Sequence, residues 1–140
     1  MPSIKRIDHI AIVVEDIEKT LAFWRDVLGL PLDHFKDVAG QKALVALLTV
    51  GESEVELVKP TSDDSGIARY LQKRGPGMHH ICFEVDDLSG MLTRLKEQGV
   101  RLIDETPIEM ASGKKMAFIH PQSADGVLVE LYELQAAQDG

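Results

Sequence analysis

The chain has 140 residues, of which 44% are hydrophobic and 27% are charged. This composition is typical of a folded globular domain and excludes intrinsic disorder as a description of the whole chain. A chain of this length buries about two-thirds of the surface that it exposes when unfolded, so its core needs no disulfide or metal. The net charge of −8 argues against a nucleic-acid partner, which requires a broad basic surface.

Cysteine content and hydropathy indicate the cellular compartment of the protein. Cys82 is the single cysteine, which excludes an intrachain disulfide and a zinc site built on paired cysteines. No apolar run is long enough for a signal sequence or a membrane span. We therefore expect a cytoplasmic protein that has neither a membrane nor a nucleic acid as its partner.

The first predicted strand recurs later in the chain. At a shift of 71 residues, segment 8–17 aligns with segment 79–88, and His, Ile, Val and Asp coincide at four positions. In each copy an alternating strand pattern leads to an acidic N-cap, Asp16 or Asp87, and then to an amphipathic helix. The apolar residues at helical spacing are Ile17, Leu21, Trp24 and Leu28 in the first helix, and Leu88, Met91, Leu92 and Leu95 in the second.

Further strands follow each helix, and turns with Gly or Pro separate them. They are predicted at 43–50 and 53–59 in the first half, and at 100–104, 115–120 and 126–133 in the second. A short helix is predicted at 67–74 between the halves. The sequence therefore predicts one domain over residues 1–140, built of a first module at 5–60, a helical connector at 61–77 and a second module at 78–133.

Strand alternation sorts the side chains of the two repeated strands onto two faces. The face expected to pack against the helix carries Ile10, Ile12 and Val14 in one copy, and Ile81, Phe83 and Val85 in the other. The opposite face carries His9, Ala11 and Val13 in one copy, and His80, Cys82 and Glu84 in the other. Two related histidines thus share a face with small neighbours, which leaves room for a ligand.

A carboxylate lies in the last strand of each half, Glu56 in the first and Glu130 in the second. An acid among apolar strand residues is costly to bury unless it is paired, hydrogen-bonded or bound to a cation. Together with His9 and His80, these residues offer two imidazoles and two carboxylates. Such a set suits Zn, Co, Ni, Mn or Fe and leaves coordination positions open for substrate, as in a catalytic site.

Structural roles are the simpler interpretation of most polar residues taken singly. For His9 and His80, the repetition at the same place in both copies favours the ligand hypothesis instead. A solvated surface is the simpler interpretation of the basic residues Lys73, Arg74, Lys114 and Lys115, with binding of a phosphate or carboxylate tail as the alternative.

Five segments together resemble the vicinal oxygen chelate superfamily and, within it, the methylmalonyl-CoA epimerases. The resemblance covers about residues 5–133. The segments are DHIAIVV at 8–14, ELVKP at 56–60, IARYLQKRG at 67–75, MHHICFEVDD at 78–87 and HPQSADGVLVEL at 120–131.

The resemblance implies an α+β fold of two tandem βαβββ modules whose mixed sheets form a cup-shaped, barrel-like site around one divalent metal. The family's metal ligands fall on His9, Glu56, His80 and Glu130. The resemblance also implies cobalt as the preferred ion, with Zn, Ni, Mn or Fe as alternatives, an acyl-CoA substrate and a homodimer.

The expected reaction is the interconversion of the epimers of methylmalonyl-CoA through a metal-stabilised enolate. Because a proton leaves one face of the carbon and returns on the other, two bases must flank it, and we predict Glu56 and Glu130 in these roles. The sequence departs from the family at two places. Residues 43–50 contain no acid where some epimerases carry one, and residues 110–113 are MASG where the family often has Gly-Ala-His-Gly.

Two other functions are consistent with the pattern. A glyoxalase I-like lactoylglutathione lyase uses two His and two Glu on a metal for a related proton shuttle. A non-catalytic small-molecule binding protein of the same fold is the second alternative. The connector and segment 79–87 favour the epimerase, and the four-residue ligand set argues against a binding protein.

Overall fold

The structure, a computed structural model, describes residues 1–134 of the chain. They form two compact units, one made of His9–His79 and the other of Met1–Asp8 with the chain from His80 onward. Residues 1–8 thus belong by their contacts to the same unit as the second half of the chain. Within the described residues, no helix combines the length and the apolar character that crossing a membrane requires.

The unit His9–His79 contains the first βαβββ repeat and the connecting helix. Its elements are β1 (Ile4–Val13, from His9 in this unit), α1 (Ile17–Leu21) with a π-helical continuation (Ala22–Val27), β2 (Leu32–Val38), a 3-10 turn (Ala39–Gln41), β3 (Ala43–Val50), β4 (Ser53–Pro60) and α2 (Gly66–Arg74). The strands pair in the order β2-β3-β4-β1, with β1 and β4 parallel and the other neighbours antiparallel.

Local signals explain the start of α1. The carboxylate of Asp16 accepts a hydrogen bond from the Lys19 backbone N–H at 3.2 Å, which satisfies one of the donors left open at a helix N-terminus. The apolar side of α1 then packs on the sheet. The buried residues of this core are Val14, Ile17, Leu21, Ala46, Leu48 and Leu57.

The first helix changes from α to π winding after Leu21. A π-turn closes its hydrogen bond one residue later than an α-turn, so the side chains beyond it rotate away from the expected face. Trp24 still packs partly buried against the core, but Leu28 is exposed. The prediction that Leu28 continues the apolar face is therefore wrong.

The second unit contains the second βαβββ repeat. Its elements are β5 (Gly77–Val85, from His80 in this unit), α3 (Leu88–Glu97), β6 (Ile108–Glu109), β7 (Lys115–Ile119), a 3-10 turn (Pro121–Ser123) and β8 (Leu128–Glu133). The strands pair in the order β5-β8-β7-β6, with β5 and β8 parallel and the other neighbours antiparallel. Asp87 caps α3 through the Gly90 backbone N–H at 3.0 Å.

The segment 100–104 is not a strand, so that prediction is wrong. Leu102 alone forms an isolated bridge, with Ile119. The carboxylate of Asp104 accepts a hydrogen bond from the Phe118 backbone N–H at 2.8 Å, while the Phe118 carbonyl accepts from both Ile103 and Asp104. The Asp104 side chain thus takes the Phe118 backbone N–H, which a neighbouring strand would otherwise bond through its own carbonyl. No continuous ladder of backbone hydrogen bonds forms.

The α+β class and the two βαβββ repeats are confirmed. The predicted faces are confirmed as well: Ile12 and Val14 pack with the first helix, and Phe83 and Val85 with the second. On the opposite faces, Ala11 and Cys82 are fully buried. The small side chains therefore lie beside the two histidines, as predicted.

Candidate active site

The unit His9–His79 brings together its predicted histidine and carboxylate. His9 lies on β1 and Glu56 on the adjacent parallel strand β4, where Glu56 is in register with Ala11. The His9 Nδ1 and Glu56 Oε2 atoms are 3.2 Å apart, and the side chains are 7% and 21% exposed. An imidazole and a carboxylate thus meet in a largely buried environment.

The second unit repeats this arrangement with its own pair. His80 lies on β5 and Glu130 on the parallel strand β8, where Glu130 is in register with Cys82. The His80 Nε2 and Glu130 Oε1 atoms are 3.2 Å apart, with 15% and 9% of the side chains exposed. The Phe118 ring packs edge-to-face against the His80 imidazole, with 6.0 Å between the ring centroids.

The two pairs are built by the same register. In each unit the glutamate lies opposite the residue that follows the histidine by two positions, Ala11 in one and Cys82 in the other. That residue points to the same side as the histidine, because strand side chains alternate. The parallel pairing therefore carries the His and the Glu onto one face in both copies. That these four residues share one metal ion remains a prediction.

Strand β3 contributes no carboxylate to its unit's site face. Leu47 is in register with Glu56 and occupies that face. In the second unit Phe118 has the corresponding position beside Glu130. Within the described residues, the carboxylates of the site faces are therefore supplied by the first and last strands of the repeats.

A polar cluster lies beside the second pair, and we call it the Arg6–Tyr132 cluster (Arg6, Asp8, Glu84 and Tyr132). Arg6 Nε donates to Glu84 Oε1 at 2.8 Å, and Arg6 Nη2 donates to Asp8 Oδ1 at 3.0 Å. The Tyr132 hydroxyl donates to Asp8 Oδ1 at 2.7 Å. The Lys5 ammonium adds a contact to Glu84 Oε2 at 3.3 Å.

The cluster holds its carboxylate charged and its phenol neutral. Burial opposes ionisation of Glu84, but hydrogen bonds from Arg6 and Lys5 outweigh it and keep the pKa of Glu84 below its usual range. Burial, reinforced by the hydrogen bond to Asp8, raises the pKa of the Tyr132 phenol far above its usual range. Tyr132 is therefore a fixed hydrogen-bond donor at physiological pH.

Sequence reasoning did not identify this cluster as a unit. Glu84 follows His80 on the same face of β5, and Tyr132 follows Glu130 on the same face of β8. Alternation could have placed these two residues together. No sequence pattern pointed to Arg6, which meets them only because residues 1–8 belong to the second unit.

A family model for the glyoxalase/bleomycin resistance protein/dioxygenase superfamily matches residues 8–118. The chain belongs to this superfamily. It is 39% identical over 127 residues to human mitochondrial methylmalonyl-CoA epimerase, a match that covers 90% of this chain and 72% of the relative. It is 37% identical over 133 residues to the ethylmalonyl-CoA/methylmalonyl-CoA epimerase of Cereibacter sphaeroides, covering 94% of this chain and 99% of the relative.

Solved structures agree with these relatives. The methylmalonyl-CoA epimerase of Mycobacterium tuberculosis is 37% identical, with a TM-score of 0.82 over 94% of this chain and 89% of that one. A methylmalonyl-CoA epimerase in complex with methylmalonyl-CoA and NH4+ is 32% identical, with a TM-score of 0.83 over 99% of this chain and 100% of that one. The predicted resemblance is confirmed, and the chain is an epimerase-like isomerase of this superfamily.

Proposed function

We propose that the protein interconverts the two epimers of methylmalonyl-CoA. The observation that carries this proposal is the repeated His–Glu pair, built in the same register in both units with 3.2 Å between nitrogen and oxygen. Relatives and structural neighbours that are named methylmalonyl-CoA epimerases support the choice of substrate.

The side chains suit a divalent metal ion. Each pair offers an imidazole nitrogen and a carboxylate oxygen, a donor set that binds Co, Zn, Ni, Mn or Fe. Glu130 is buried between the apolar residues Val129 and Leu131, where a bound cation would offset the cost of its charge. We propose His9, Glu56, His80 and Glu130 as the residues that would hold one ion, with cobalt preferred. When bound, such an ion would supply Lewis-acid stabilisation of negative charge on the thioester oxygen.

Glu56 and Glu130 are the proposed bases. Epimerisation requires that one carboxylate accept the α-proton and that a group on the other face return a proton to the same carbon. Each glutamate sits beside an imidazole, His9 or His80, which would retain the ion while the carboxylate exchanges a proton. Strand β3 carries no acid, and Glu84, which shares the face of His80, is already engaged by Arg6 and Lys5.

An isotope-exchange experiment tests the proposal. Metal-loaded protein is incubated with a single epimer of methylmalonyl-CoA in deuterated water, and epimer ratio and label at the α-carbon are followed by NMR. We expect both epimerisation and deuterium uptake, and their loss on chelation of the metal. A parallel incubation with the hemithioacetal of methylglyoxal and glutathione serves as the control.

Two results would contradict the epimerase proposal. Turnover of the hemithioacetal without epimerisation would indicate a lactoylglutathione lyase. Stoichiometric metal with no reaction of either compound would indicate a binding protein.

A further inference from the structure

Lys114 extends the site face of the second unit. It immediately precedes β7, on which Met116 and Phe118 are in register with Tyr132 and Glu130. Alternation puts residue 114 on the same side as Met116 and Phe118. The Lys114 Nζ atom indeed lies over the Tyr132 ring, 4.1 Å from its centroid. The ammonium is thus directed along the face that carries His80 and Glu130.

Within the described part of the chain, no acid balances the charge of Lys114. Among residues 1–134, no carboxylate lies within the 4.0 Å ion-pair distance of its ammonium. The nearby acids Asp8 and Glu84 are instead engaged by Arg6 and Lys5. Lys114 is also half-buried, so part of its hydration is removed. A partly desolvated cation over an aromatic ring is a favourable place for an anionic group of a ligand.

Tyr132 keeps this cation in place. Its hydroxyl is fixed by Asp8 at 2.7 Å and accepts a hydrogen bond from Arg6 at 3.1 Å, so the ring has a defined orientation. The ring packs with Cys82 and Met116 on the same face. The Arg6–Tyr132 cluster therefore acts as a rigid support for the ring, and the ring supports the ammonium.

We propose that Lys114 binds the free carboxylate of the malonyl-type thioester, and so selects acyl-CoA substrates that carry a second acid group. The inference rests on the proposed function. Along β8, Tyr132 is two residues from Glu130, about 7 Å at the usual rise of a strand. The free carboxylate is attached to the carbon that loses its proton, so it stays close to a base at Glu130. The phosphates of CoA lie at the far end of the pantetheine arm.

Binding measurements on Lys114→Met test the proposal, with Lys114→Arg as the matched control that retains the charge. Titration calorimetry of metal-loaded protein would compare methylmalonyl-CoA, propionyl-CoA, which lacks the carboxylate, and methylmalonyl-N-acetylcysteamine, which lacks the phosphates. We expect Lys114→Met to weaken binding of both methylmalonyl thioesters by about 10- to 100-fold, as for loss of a charge-assisted hydrogen bond. Propionyl-CoA should bind both proteins equally, and Lys114→Arg should keep most of the affinity.

Three outcomes would overturn the inference. Equal weakening for propionyl-CoA, or none for the N-acetylcysteamine thioester, would assign Lys114 to the CoA phosphates. Unchanged binding of all three compounds would show that Lys114 does not contact the ligand. A wild-type protein that binds no methylmalonyl-CoA would contradict the proposed function itself, a result that the wild-type titration reveals before any variant is compared.

Discussion

The two units build the same His–Glu pair on site faces of different chemistry. In the unit His9–His79, the site face is apolar on the side of Val13 and Val58, where Ala11, Ala43, Val45 and Val58 form a buried cluster, while Glu54 lies on the other side of the pair, in register with His9. In the second unit, Tyr132 on β8 takes the place that Val58 has in the first, and Glu84 on β5 takes the place of Val13. The pair therefore forms equally well beside an apolar or a polar neighbourhood.

This difference separates two tasks within one duplicated fold. Register and strand pairing suffice to join a histidine with a glutamate, since those are what the two units share. The additional polar residues of the second unit are not needed for the pair itself. They are available for recognition of the ligand, which is where our proposal for Lys114 places them.

The largest expected effect concerns whether the two pairs share one ion. His9→Ala and His80→Ala should each reduce bound metal from one ion per chain to none, and should lower the epimerisation rate by about 10³-fold or more. Metal content after gel filtration, measured by mass spectrometry, checks this. Two ions in the wild type and one in each variant would show that each unit binds its own metal. His34→Ala, at an exposed position, is the control.

A smaller effect is expected when the proposed bases are changed separately. Glu56→Gln and Glu130→Gln should each slow epimerisation on the order of 10²-fold at saturating metal. If the two glutamates serve opposite faces, each variant should still exchange the α-proton of one epimer with deuterated water. The epimer that still exchanges should be a different one in the two variants. Identical exchange patterns for the two variants would argue against this division.

The Arg6–Tyr132 cluster should contribute to stability in a pH-dependent way. At pH 7, Glu84→Gln should lower the free energy of unfolding by about 1–3 kcal/mol, because Arg6 loses a charged partner in a buried environment. The folded-state pKa of Glu84 lies below its usual 4.5, so its stabilisation is present above that pH and is lost as the pH falls through the folded-state pKa. Urea unfolding at pH 7 and at pH 3 checks this, with exposed Glu109→Gln as control. A loss of unfolding free energy in Glu84→Gln that is larger at pH 3 than at pH 7 would contradict this pH dependence.

The smallest effects are expected at the matched helix caps. Asp16→Ala and Asp87→Ala should each cost about 1 kcal/mol, because each removes one hydrogen bond to an open backbone N–H. Thermal unfolding of the two variants would compare the repeats directly. A loss at one cap alone would mean that the two helices do not contribute equally to their units.

Much of the fold could be predicted because the repeated segments carry strong local signals. Alternation and acidic caps located β1, β5 and the starts of α1 and α3. The prediction of a strand at 100–104 is wrong because alternation of side chains does not guarantee pairing. Here the Asp104 side chain interrupts the backbone pairing with the neighbouring strand. The prediction that Leu28 lies on the apolar face is wrong because helical spacing assumes α winding. The change to π winding has no signal in the residue pattern.

The His–Glu contacts could be predicted because two copies of one pattern reinforce each other. The Arg6–Tyr132 cluster could not, since Arg6 has no counterpart in a repeat and meets its partners only through tertiary contacts. Lys114 was interpreted from the sequence as a surface residue. Charge alone could not reveal that its ammonium lies over a buried aromatic ring.

The early placement of Arg6 in the chain has a consequence for folding. Arg6 contacts residues 78 and 126 positions further along, whereas hairpins such as that of β3 and β4 form from neighbouring segments. Closing large loops costs conformational entropy before the contacts are gained, so such contacts form slowly. Residues 1–8 contain no proposed metal ligand. The Arg6–Tyr132 cluster, which supports the proposed carboxylate-binding residue Lys114, is nevertheless incomplete until these residues pack against the second unit. A nascent chain would therefore acquire this part of the site only after its last strand is available.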